Sequence, residues 1–581
     1  MPSSFLCNGV SSPRTIKQSL RIGCLVSLCA TVCWQSAWGV GGAEVMDRPS
    51  ARQLLSPVYT PKSAPEDFSL PPVPEATTPQ MHSRRLFIKQ INVTGNTVIP
   101  LQDLRALLSP YEQREVTVDE IEQLRQQLTH YYIDRGYINS GAVIAADAIQ
   151  NGELQIQVIE GHIDEIHLKG LGRLREGYVR NRLLNDPNQV FNLQTLQDNY
   201  QLLLADPLIS RMNGRILPGT TPGHSILDVD VTRAKPYQLS LLGNNQRPPS
   251  IGAEAFGVNG QLRNLTGLGD ALDFTYITSE GSDRYAGGFS LPLTDSGLLA
   301  FFHFDEGDSM VLESAIKNIQ ITSLVHSLEG GVSYPLLNTL RQHLNVGVML
   351  AVRENETFLL GKPFSFVAGD STGHNQATVW RLFQDYSQRW DNHAVAFRST
   401  FSVGMNALGA TSEQVQTVKS GNDPDSEFFA WLGQAQYAWR ILDNGSQLVV
   451  RGNAQLSNEP LLPLERMAVG GLYTVRGYRE NQLVRDQGVS VSTEFHYPLL
   501  GGNETNARHR LTLIPFVDYG RAWNHGEAAD ELYSVGAGFE WMFKPVSVNF
   551  YYGYALHKDK PLQKGDLQDN GIHFQARWDL F

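Results

Sequence analysis

The chain has 581 residues, with 47 Lys and Arg against 59 Asp and Glu and a formal net charge of −12. This acidic balance argues against nucleic acid as a partner, because phosphate is repelled by a net negative protein and no local basic patch offsets the charge. The four cysteines all lie within the first 33 residues, which excludes a disulfide framework or a cysteine metal site beyond that point.

The first 43 residues have the composition of a secretory signal peptide. Arg14, Lys17 and Arg21 precede an apolar run over residues 22–34, and small residues follow it. An uncleaved anchor helix is the alternative, because residues 22–40 are nearly long enough to cross a bilayer. We predict that residues 1–43 are removed, at a position that the sequence does not fix, and that the cysteine-free mature protein leaves the cytoplasm.

Two short segments separate the signal peptide from the first folded region. Residues 44–56 form one short helical pattern, although Pro49 interrupts its start. Residues 57–85 are rich in proline, which favours a semi-extended tether over a helix or a central strand. After residue 43 no run of 18 apolar residues occurs, which excludes a helical membrane protein.

An internal repeat follows the tether. The segment 88–95 (IKQINVTG) returns as 163–170 (IDEIHLKG), and the alternating segment 154–158 returns as 227–231. Between these ends each copy contains two helical patterns, one of which opens with a capping box at Thr117 and Glu120. We therefore predict two small α+β domains of order β-α-α-β-β, over residues 86–161 and 162–235.

From residue 236 to residue 581 the hydrophobic pattern changes to alternation. In one example Val489, Val491 and Phe495 alternate with Ser490 and Glu494. Sixteen such segments begin near residues 237, 252, 270, 284, 297, 321, 342, 376, 393, 428, 447, 488, 510, 533, 546 and 572. An even number of strands of about ten residues, each with one apolar and one polar face, is typical of a transmembrane barrel with a wet lumen.

A large soluble β-sandwich is the alternative, because its strands also have one buried face. Two features favour the barrel: the chain ends at Phe581, immediately after its last strand pattern, and tryptophans lie towards strand ends, where membrane girdles place them. Those tryptophans are Trp380, Trp431, Trp439, Trp523, Trp541 and Trp578. We predict a membrane β-barrel of 16 antiparallel strands, with Arg398, Arg451 and Glu494 facing a wet lumen.

Motifs of catalysis and cofactor binding are missing from the sequence. There is no His-Glu-x-x-His, no Gly-x-Ser-x-Gly and no phosphate-binding loop. The pair Gly170 and Gly172 matches half of a dinucleotide fingerprint, but Arg175 stands at the third glycine position, so a turn is the better interpretation. We predict no enzyme activity, no cofactor and no metal.

One polar constellation stands out among the barrel segments. The tetrad Val475, Arg476, Gly477 and Tyr478 lies in the long connection between the eleventh and twelfth strand patterns. The motif Phe516, Asp518 and Gly520 lies on the thirteenth. An arginine that folds into a narrow lumen needs a carboxylate to replace its hydration, and Asp518 is available for bidentate pairing. From the residues alone, an ordinary loop charge and an ordinary lumen carboxylate remain the alternative.

These features together resemble the two-partner secretion transporters (TpsB) of the ShlB/FhaC/HecB type. The resemblance rests on the Val-Arg-Gly-Tyr tetrad, the Phe-x-Asp-x-Gly motif, the two POTRA-like repeats and the proline-rich tether, and it covers essentially the whole mature chain. It implies that the sixth extracellular loop folds into a sixteen-stranded barrel, that Arg476 pairs with Asp518, that Gly477 allows a tight turn and that Tyr478 packs on the wall. It also implies that residues 44–56 plug the pore.

Two features depart from the family pattern. The candidate plug helix is short and contains Pro49. The apolar alternation of the last strand falls on Phe574, Trp578 and Leu580, so Phe581 is out of phase with the usual outer-membrane assembly signal.

The resemblance implies a protein-conducting pore in the bacterial outer membrane, with its POTRA domains in the periplasm. Such a pore recognises a large unfolded exoprotein of haemolysin or adhesin type and secretes it without ATP, and Leu202, Leu208 and Ile209 are candidate client-binding residues. We expect a monomer that contacts outer-membrane lipid and is inserted by the barrel assembly machinery. A POTRA-barrel assembly factor is the alternative function, and a small-solute porin is a third. The sequence does not identify the client or show whether the client is also activated.

Overall fold

The computed structural model describes residues 68–69 and 85–581, apart from residues 146, 185, 187 and 315 and the segments 367–371, 413–422, 503–507 and 558–564. The predicted signal peptide and plug helix lie outside the described residues, as does the tether except for residues 68, 69 and 85. In the part of the chain that is described, no helix is long and apolar enough to cross a membrane.

The first repeat builds a mixed sheet on one side of two helices. The elements are β2 (Arg85–Ile88), β3 (Gln90–Thr94), α1 (Leu101–Leu108), β4 (Arg114–Thr117), α2 (Val118–Ile133), β5 (Gly141–Val143), β6 (Ile149–Gln150) and β7 (Glu153–Ile159). The central strand β7 runs parallel to β3 and antiparallel to β5. Strands β2 and β4 form a separate pair that the sequence pattern did not indicate.

Helix α2 begins at the capping box that the sequence predicts. The Thr117 hydroxyl accepts a hydrogen bond from the Glu120 backbone N–H, and the Glu120 carboxylate accepts one from the Thr117 backbone N–H. These bonds satisfy two backbone donors that no carbonyl in the helix reaches. One face of the helix then packs into the core of the repeat through Ile121, Leu124, Leu128 and Tyr132.

The second repeat has the predicted order of strand, two helices and two strands. Its elements are β8 (His162–Lys169), α3 (Glu176–Leu183), α4 (Leu193–Leu204), β9 (Ile209–Pro218) and β10 (His224–Arg233). Strand β10 lies in the middle, parallel to β8 and antiparallel to β9. The outer edge of β9 pairs in parallel with β1 (Phe68–Ser69), a two-residue strand of the tether.

A glycine occupies the same structural position in both repeats. Gly95 and Gly170 follow β3 and β8, and both adopt a φ of +79°. A Cβ atom would lie 2.2 Å from the Val158 carbonyl oxygen at Gly95 and 2.0 Å from the Val231 carbonyl oxygen at Gly170. Each turn therefore needs glycine both for its backbone conformation and for the approach of the closing strand.

The remaining strands close into a barrel of sixteen antiparallel strands, which confirms the predicted fold class. Each strand begins within three residues of its predicted start. The barrel closes where Ser240 to Asn244 of β11 pair with Gln575 to Asp579 of β29. The sixteen strands are β11 (Tyr237–Asn244), β12 (Ala255–Arg263), β13 (Ala271–Ser279), β14 (Ser282–Pro292), β15 (Leu299–Met310), β16 (Ile321–Asn338), β17 (Gln342–Leu359), β19 (His374–Arg389), β20 (His393–Met405), β21 (Phe429–Arg440), β22 (Gln447–Ser457), β25 (Gln487–Leu500), β26 (His509–Trp523), β27 (Asp530–Phe543), β28 (Val546–Ala555) and β29 (Ile572–Asp579), and the two-residue strand β18 (Lys362–Pro363) pairs with the end of β17.

Aromatic side chains collect on the outer face at the end of the barrel from which the repeats extend. Trp439, Trp541 and Trp578 each lie within the last three residues of their strands and are exposed. Phe581 joins this group, because its ring packs edge-on against Tyr237 with 5.9 Å between the ring centroids. The last strand ends at Asp579, two residues before Phe581. The alternation of side chains along that strand, with which Phe581 is out of phase, therefore does not determine where the Phe581 ring lies.

The second repeat contacts this end of the barrel through the turn between β12 and β13. The Arg175 backbone N–H donates to the Gly267 carbonyl oxygen at 2.9 Å. The Asn181 amide reaches Asp295, in the turn after β14, at 2.6 Å. These contacts show that the start of α3 and its Asn181 meet the barrel.

Candidate functional site inside the barrel

The connection between β22 and β25, residues 458–486, folds into the barrel, and we call it the re-entrant loop. Two short strands, β23 (Met467–Val469) and β24 (Leu483–Arg485), pair within it and form a ribbon that contacts β25 and β26. The ribbon presents a tip, residues 470–482, which contains the Val-Arg-Gly-Tyr tetrad. Gly470 and Gly471 at the start of the tip and Gly477 within it have positive φ angles, so the backbone turns sharply at both places.

Arg476 of the tip is joined to Asp518 of β26 in bidentate geometry. Its Nε and Nη2 atoms donate to the two carboxylate oxygens of Asp518 at 2.8 Å each, and its backbone N–H donates to the same carboxylate at 3.0 Å. Arg476 is 2% exposed and Asp518 is 1% exposed. At this burial neither charge reaches water, so each depends on the other for its solvation.

The remaining donors of Arg476 are also used. Nη2 donates to the Ser492 hydroxyl and Nη1 lies 2.8 Å from Glu494, both on β25. Glu494 further pairs with Arg451 at 2.6 Å and His496 at 2.7 Å. This buried polar network therefore extends from the loop tip across the neighbouring wall. The structure places Arg451 and Glu494 in the lumen, and it places Arg398 there as well, where Arg398 pairs with Asp385 away from the re-entrant loop.

Two aromatic rings cover the guanidinium of Arg476. Its central carbon lies 3.6 Å from the centroid of the Phe516 ring and 5.1 Å from that of the Tyr551 ring. Phe516 is itself buried against Ile514 and Tyr551. The first residue of the Phe-x-Asp-x-Gly motif thus provides a cation–π surface two positions before the carboxylate.

Gly477 brings the backbone of the tip against the backbone of β28. A Cβ atom on Gly477 would lie 2.9 Å from the Gly553 carbonyl group, and one on Gly553 would lie 2.6 Å from the Gly477 nitrogen. The Gly477 N–H also contacts the His573 ring at 3.2 Å. Gly553 and His573 are site residues that the sequence reasoning missed, since nothing in their own strand patterns distinguishes them.

The other motif residues fix the tip from both sides. The Tyr478 hydroxyl contacts the carbonyl oxygens of Tyr533 at 3.0 Å and His557 at 2.7 Å. Val475 is fully buried, and a Cβ atom on Gly520 would lie 2.7 Å from its side chain. Gly520 therefore leaves the space on β26 into which Val475 packs.

Arg479 and Glu480 hold the tip to the far end of the barrel. Arg479 pairs with Asp569 at 2.6 Å and with Glu313 at 2.8 Å, and both partners lie in connections at that end. Glu480 accepts a hydrogen bond from the Leu472 backbone N–H at 2.7 Å. Its own N–H donates to the Gln568 side chain at 2.8 Å. The tip is therefore held to the barrel at two places, at Arg476 and at the far end of the barrel.

The three candidate client-binding residues do not lie together on a surface. Leu208 and Ile209 are buried in the core of the second repeat, 8% and 5% exposed, and pack there with Leu203 and Met212. Leu202 is half-buried on α4. Leu208 and Ile209 therefore contribute to the core of the second repeat, and client binding at these residues stays a prediction.

A group of ligand-type side chains lies on the outer face of the barrel, away from this site. Glu354, Glu356 and His374 have oxygen and nitrogen atoms within 4.8 Å of one another. His374 is hydrogen-bonded to Glu354 at 2.6 Å, and this contact accounts for the arrangement without an ion.

Comparison with known proteins gives matches over both parts of the chain. The family described as haemolysin secretion/activation protein ShlB/FhaC/HecB matches residues 223–542, and the POTRA domain of ShlB type matches residues 86–161. The outer membrane transporter CdiB of Dickeya dadantii (strain 3937) is 24% identical over 497 residues, which are 80% of this chain and 83% of the relative. The heme/hemopexin transporter protein HuxB of Haemophilus influenzae (strain 86-028NP) is 22% identical over 475 residues, which are 78% of this chain and 80% of the relative.

Among solved structures, CdiB from Escherichia coli has a similar fold. It superposes with a TM-score of 0.67 at 19% sequence identity and covers 87% of this chain and 93% of its own. The likeness therefore extends over the barrel and the repeats together.

Proposed function

The chain belongs to the haemolysin secretion/activation family ShlB/FhaC/HecB, and we propose that it binds one large unfolded exoprotein in the periplasm and passes it through its barrel to the cell surface. Its barrel lies in the outer membrane and its POTRA domains lie in the periplasm. We propose a client of the haemolysin, adhesin or haem-binding class. Among the relatives, HuxB is named a heme/hemopexin transporter and HpmB of Proteus mirabilis is named a hemolysin transporter.

The observation that carries the proposal for client capture is the pairing of β1 with the edge of β9. Phe68 and Ser69 of the tether lie opposite Gly214 and Arg215 in parallel register. A two-residue extended segment of the tether thus adds to this sheet through main-chain hydrogen bonds. An unfolded client has the same unpaired main-chain groups along its whole length, so the β9 edge would receive it by strand addition.

Arg215, the β9 residue that lies opposite Ser69, is already paired with carboxylates of its own sheet. Arg215 on β9 pairs with Asp228 on β10 at 3.0 Å, and Lys169 on β8 pairs with the same carboxylate at 3.1 Å. The hydrogen bond from Lys169 holds the pKa of Asp228 below its usual range, with Arg215 adding to the effect. Asp228 therefore stays ionised near neutral pH and keeps both cations aligned across the sheet.

The re-entrant loop is proposed to control the passage. Its tip is fixed to β25, β26 and β28 by Arg476 and Gly477, and a polar network surrounds it. The buried charges around the loop tip are therefore already paired with one another. The polar groups of the wall would form hydrogen bonds with the main chain of a client strand in place of water. Because the periplasm contains no ATP, the free energy of transport would come from folding of the client outside the cell.

Comparison of the proteins outside the cell in strains with and without this gene tests the proposal. Loss of one large exoprotein from the medium and the cell surface, with the other outer-membrane barrels unchanged, is the expected result. A strain that lacks residues 86–235 of this chain should show the same loss while its barrel is still inserted by the barrel assembly machinery. A general fall in many barrel proteins would contradict the proposal and indicate an assembly factor instead.

A further inference from the structure

The re-entrant loop has a second polar contact with the wall, far from Arg476. Glu465, at the end of the turn Pro463–Glu465, receives hydrogen bonds from Arg381 Nη2 on both carboxylate oxygens at 2.7 Å. Arg353 lies 3.4 Å from the same carboxylate and 2.6 Å from Glu329. These wall residues belong to β16, β17 and β19, whereas Arg476 is held by β25 and β26. We call this group the Glu465 anchor and the group around Asp518 the Arg476 anchor.

The two anchors place the loop across the lumen. The loop leaves the wall at β22 and returns at β25, yet Glu465 reaches past β21 and β20 to β19. Leu464 packs still further round, against Val325 of β16. The segment before the ribbon therefore spans the lumenal side of several strands of the wall.

The Glu465 anchor is the weaker of the two by several criteria. In the Arg476 anchor Nε, Nη1 and Nη2 all have partners, and Val475 and Tyr478 belong to a buried apolar cluster of seven residues. In the Glu465 anchor Arg353 Nε has no acceptor among the described residues. Among the described residues, the buried apolar cluster that contains Leu464 has one other member, Val325. Separation of the loop from the wall should therefore begin at Glu465.

The charges of the Glu465 anchor balance only while the loop is docked. The wall contributes Arg353, Arg381 and Glu329, and the loop contributes Glu465. When Glu465 departs, two buried guanidiniums share one carboxylate and must take up water or another anion. Opening is therefore coupled to wetting of the lumen, or to the arrival of an acidic segment, at this part of the wall.

We propose that Glu465 is a positioning residue that holds the re-entrant loop closed across the lumen, and that export requires the Glu465 anchor to open while the Arg476 anchor stays intact. This inference rests on the proposed export function, since it names the contact that the passing chain must displace.

Recording of single-channel currents from the full-length protein in planar bilayers tests the closed state without a client. The variant Glu465→Gln/Arg381→Gln removes one charge of each sign and keeps the anchor neutral. We expect its high-conductance level to be occupied about tenfold more often than in the unchanged protein, the size of effect produced by loss of one hydrogen bond to a charged group. The matched control is Arg398→Gln/Asp385→Asn, which removes a lumenal ion pair of 3.1 Å between neighbouring strands and does not involve the loop. Equal occupancy in the two variants would overturn the proposal.

A cross-linking experiment in cells tests the opening step. The mature chain has no cysteine, so Glu465→Cys and Arg381→Cys can be joined selectively by a short bis-maleimide. We expect the joined protein to export no exoprotein, and either single cysteine with the same reagent to export it normally. Normal export by the joined protein would overturn the proposal even though export itself is intact. If instead no exoprotein disappears when the whole gene is removed, the proposed function fails and the conductance result alone decides the role of Glu465.

Discussion

Arg476 and Asp518 are 42 residues apart in the chain and meet inside the barrel through two hydrogen bonds of 2.8 Å. The contact joins the tip of a loop to the middle of a strand. Because the guanidinium is planar and the carboxylate accepts two parallel bonds, the pair fixes the orientation of the tip as well as its position.

Replacement of Arg476 by lysine should impair export although the charge is kept. A lysine ammonium cannot reach Asp518 in bidentate geometry and bond Ser492 and Glu494 at the same time. We expect about a tenfold fall in secreted exoprotein, the effect of losing one hydrogen bond to a charged group. The measurement is the amount of exoprotein in the medium at equal barrel abundance. Arg398→Lys is the control, and an equal fall there would assign the effect to lumenal charge in general.

Glu494 complicates the obvious exchange of the two charges. A carboxylate placed at residue 476 would lie beside Glu494, which is 2.8 Å from Arg476 Nη1. The exchange Arg476→Asp/Asp518→Arg should therefore restore only part of the activity. A double-mutant cycle with Arg476→Gln and Asp518→Asn avoids this repulsion, and we expect a coupling of about 1–3 kcal/mol from the export ratios. A coupling near zero would show that the contact does not matter for export.

Gly553→Ala should displace the loop tip without changing any charge. The new methyl group would lie 2.6 Å from the Gly477 nitrogen, a contact that forces the two backbones apart. We expect reduced export and more frequent opening of the channel in planar bilayers. Gly307→Ala is the control, because a Cβ atom there meets its nearest neighbour at 3.5 Å. Unchanged currents in Gly553→Ala would mean that the tip tolerates a shift at Gly477.

The barrel strands could be predicted from the sequence because each has a face towards the lumen and a face towards lipid. Alternation with period two places every strand start to within three residues, as in β28, where Val546 is both the predicted and the observed first residue. The pair β2 and β4 was missed because a strand of four residues is too short for alternation to be distinguished from a loop.

The site could be predicted only in part. The motif residues are conspicuous in the sequence, and the resemblance supplied the partner of Arg476. Gly553, His573 and Arg381 could not be found in this way, because they become neighbours of the loop only when β17, β19, β28 and β29 take their places in the closed barrel. The sequence alone does not assign Leu208 and Ile209 either, since an apolar pair after a helix fits a groove as well as a core.

Gly170→Ala should unfold the second repeat and leave the barrel intact. The substitution combines a φ of +79° with a Cβ atom 2.0 Å from the Val231 carbonyl oxygen. We expect a loss of roughly 2–4 kcal/mol of stability. Limited proteolysis of the full-length protein should then cut between residues 162 and 235 at lower protease concentration. Gly177→Ala in α3 is the control of opposite sign, because its methyl group has room and alanine favours a helix by about 0.5–1 kcal/mol. Resistance of Gly170→Ala equal to that of the unchanged protein would contradict the close approach of β10.

Joining the tether to the β9 edge should block the capture of client. Ser69 lies opposite Arg215 in the parallel register of β1 and β9, and residues 34–581 contain no cysteine that could compete with an engineered pair. In Ser69→Cys/Arg215→Cys we expect a disulfide in the oxidising periplasm that abolishes export and is reversed by a thiol reductant. The single substitutions should export normally under both conditions. Normal export by the oxidised double variant would place client binding elsewhere, since a strand cannot be added to an edge that is covalently occupied.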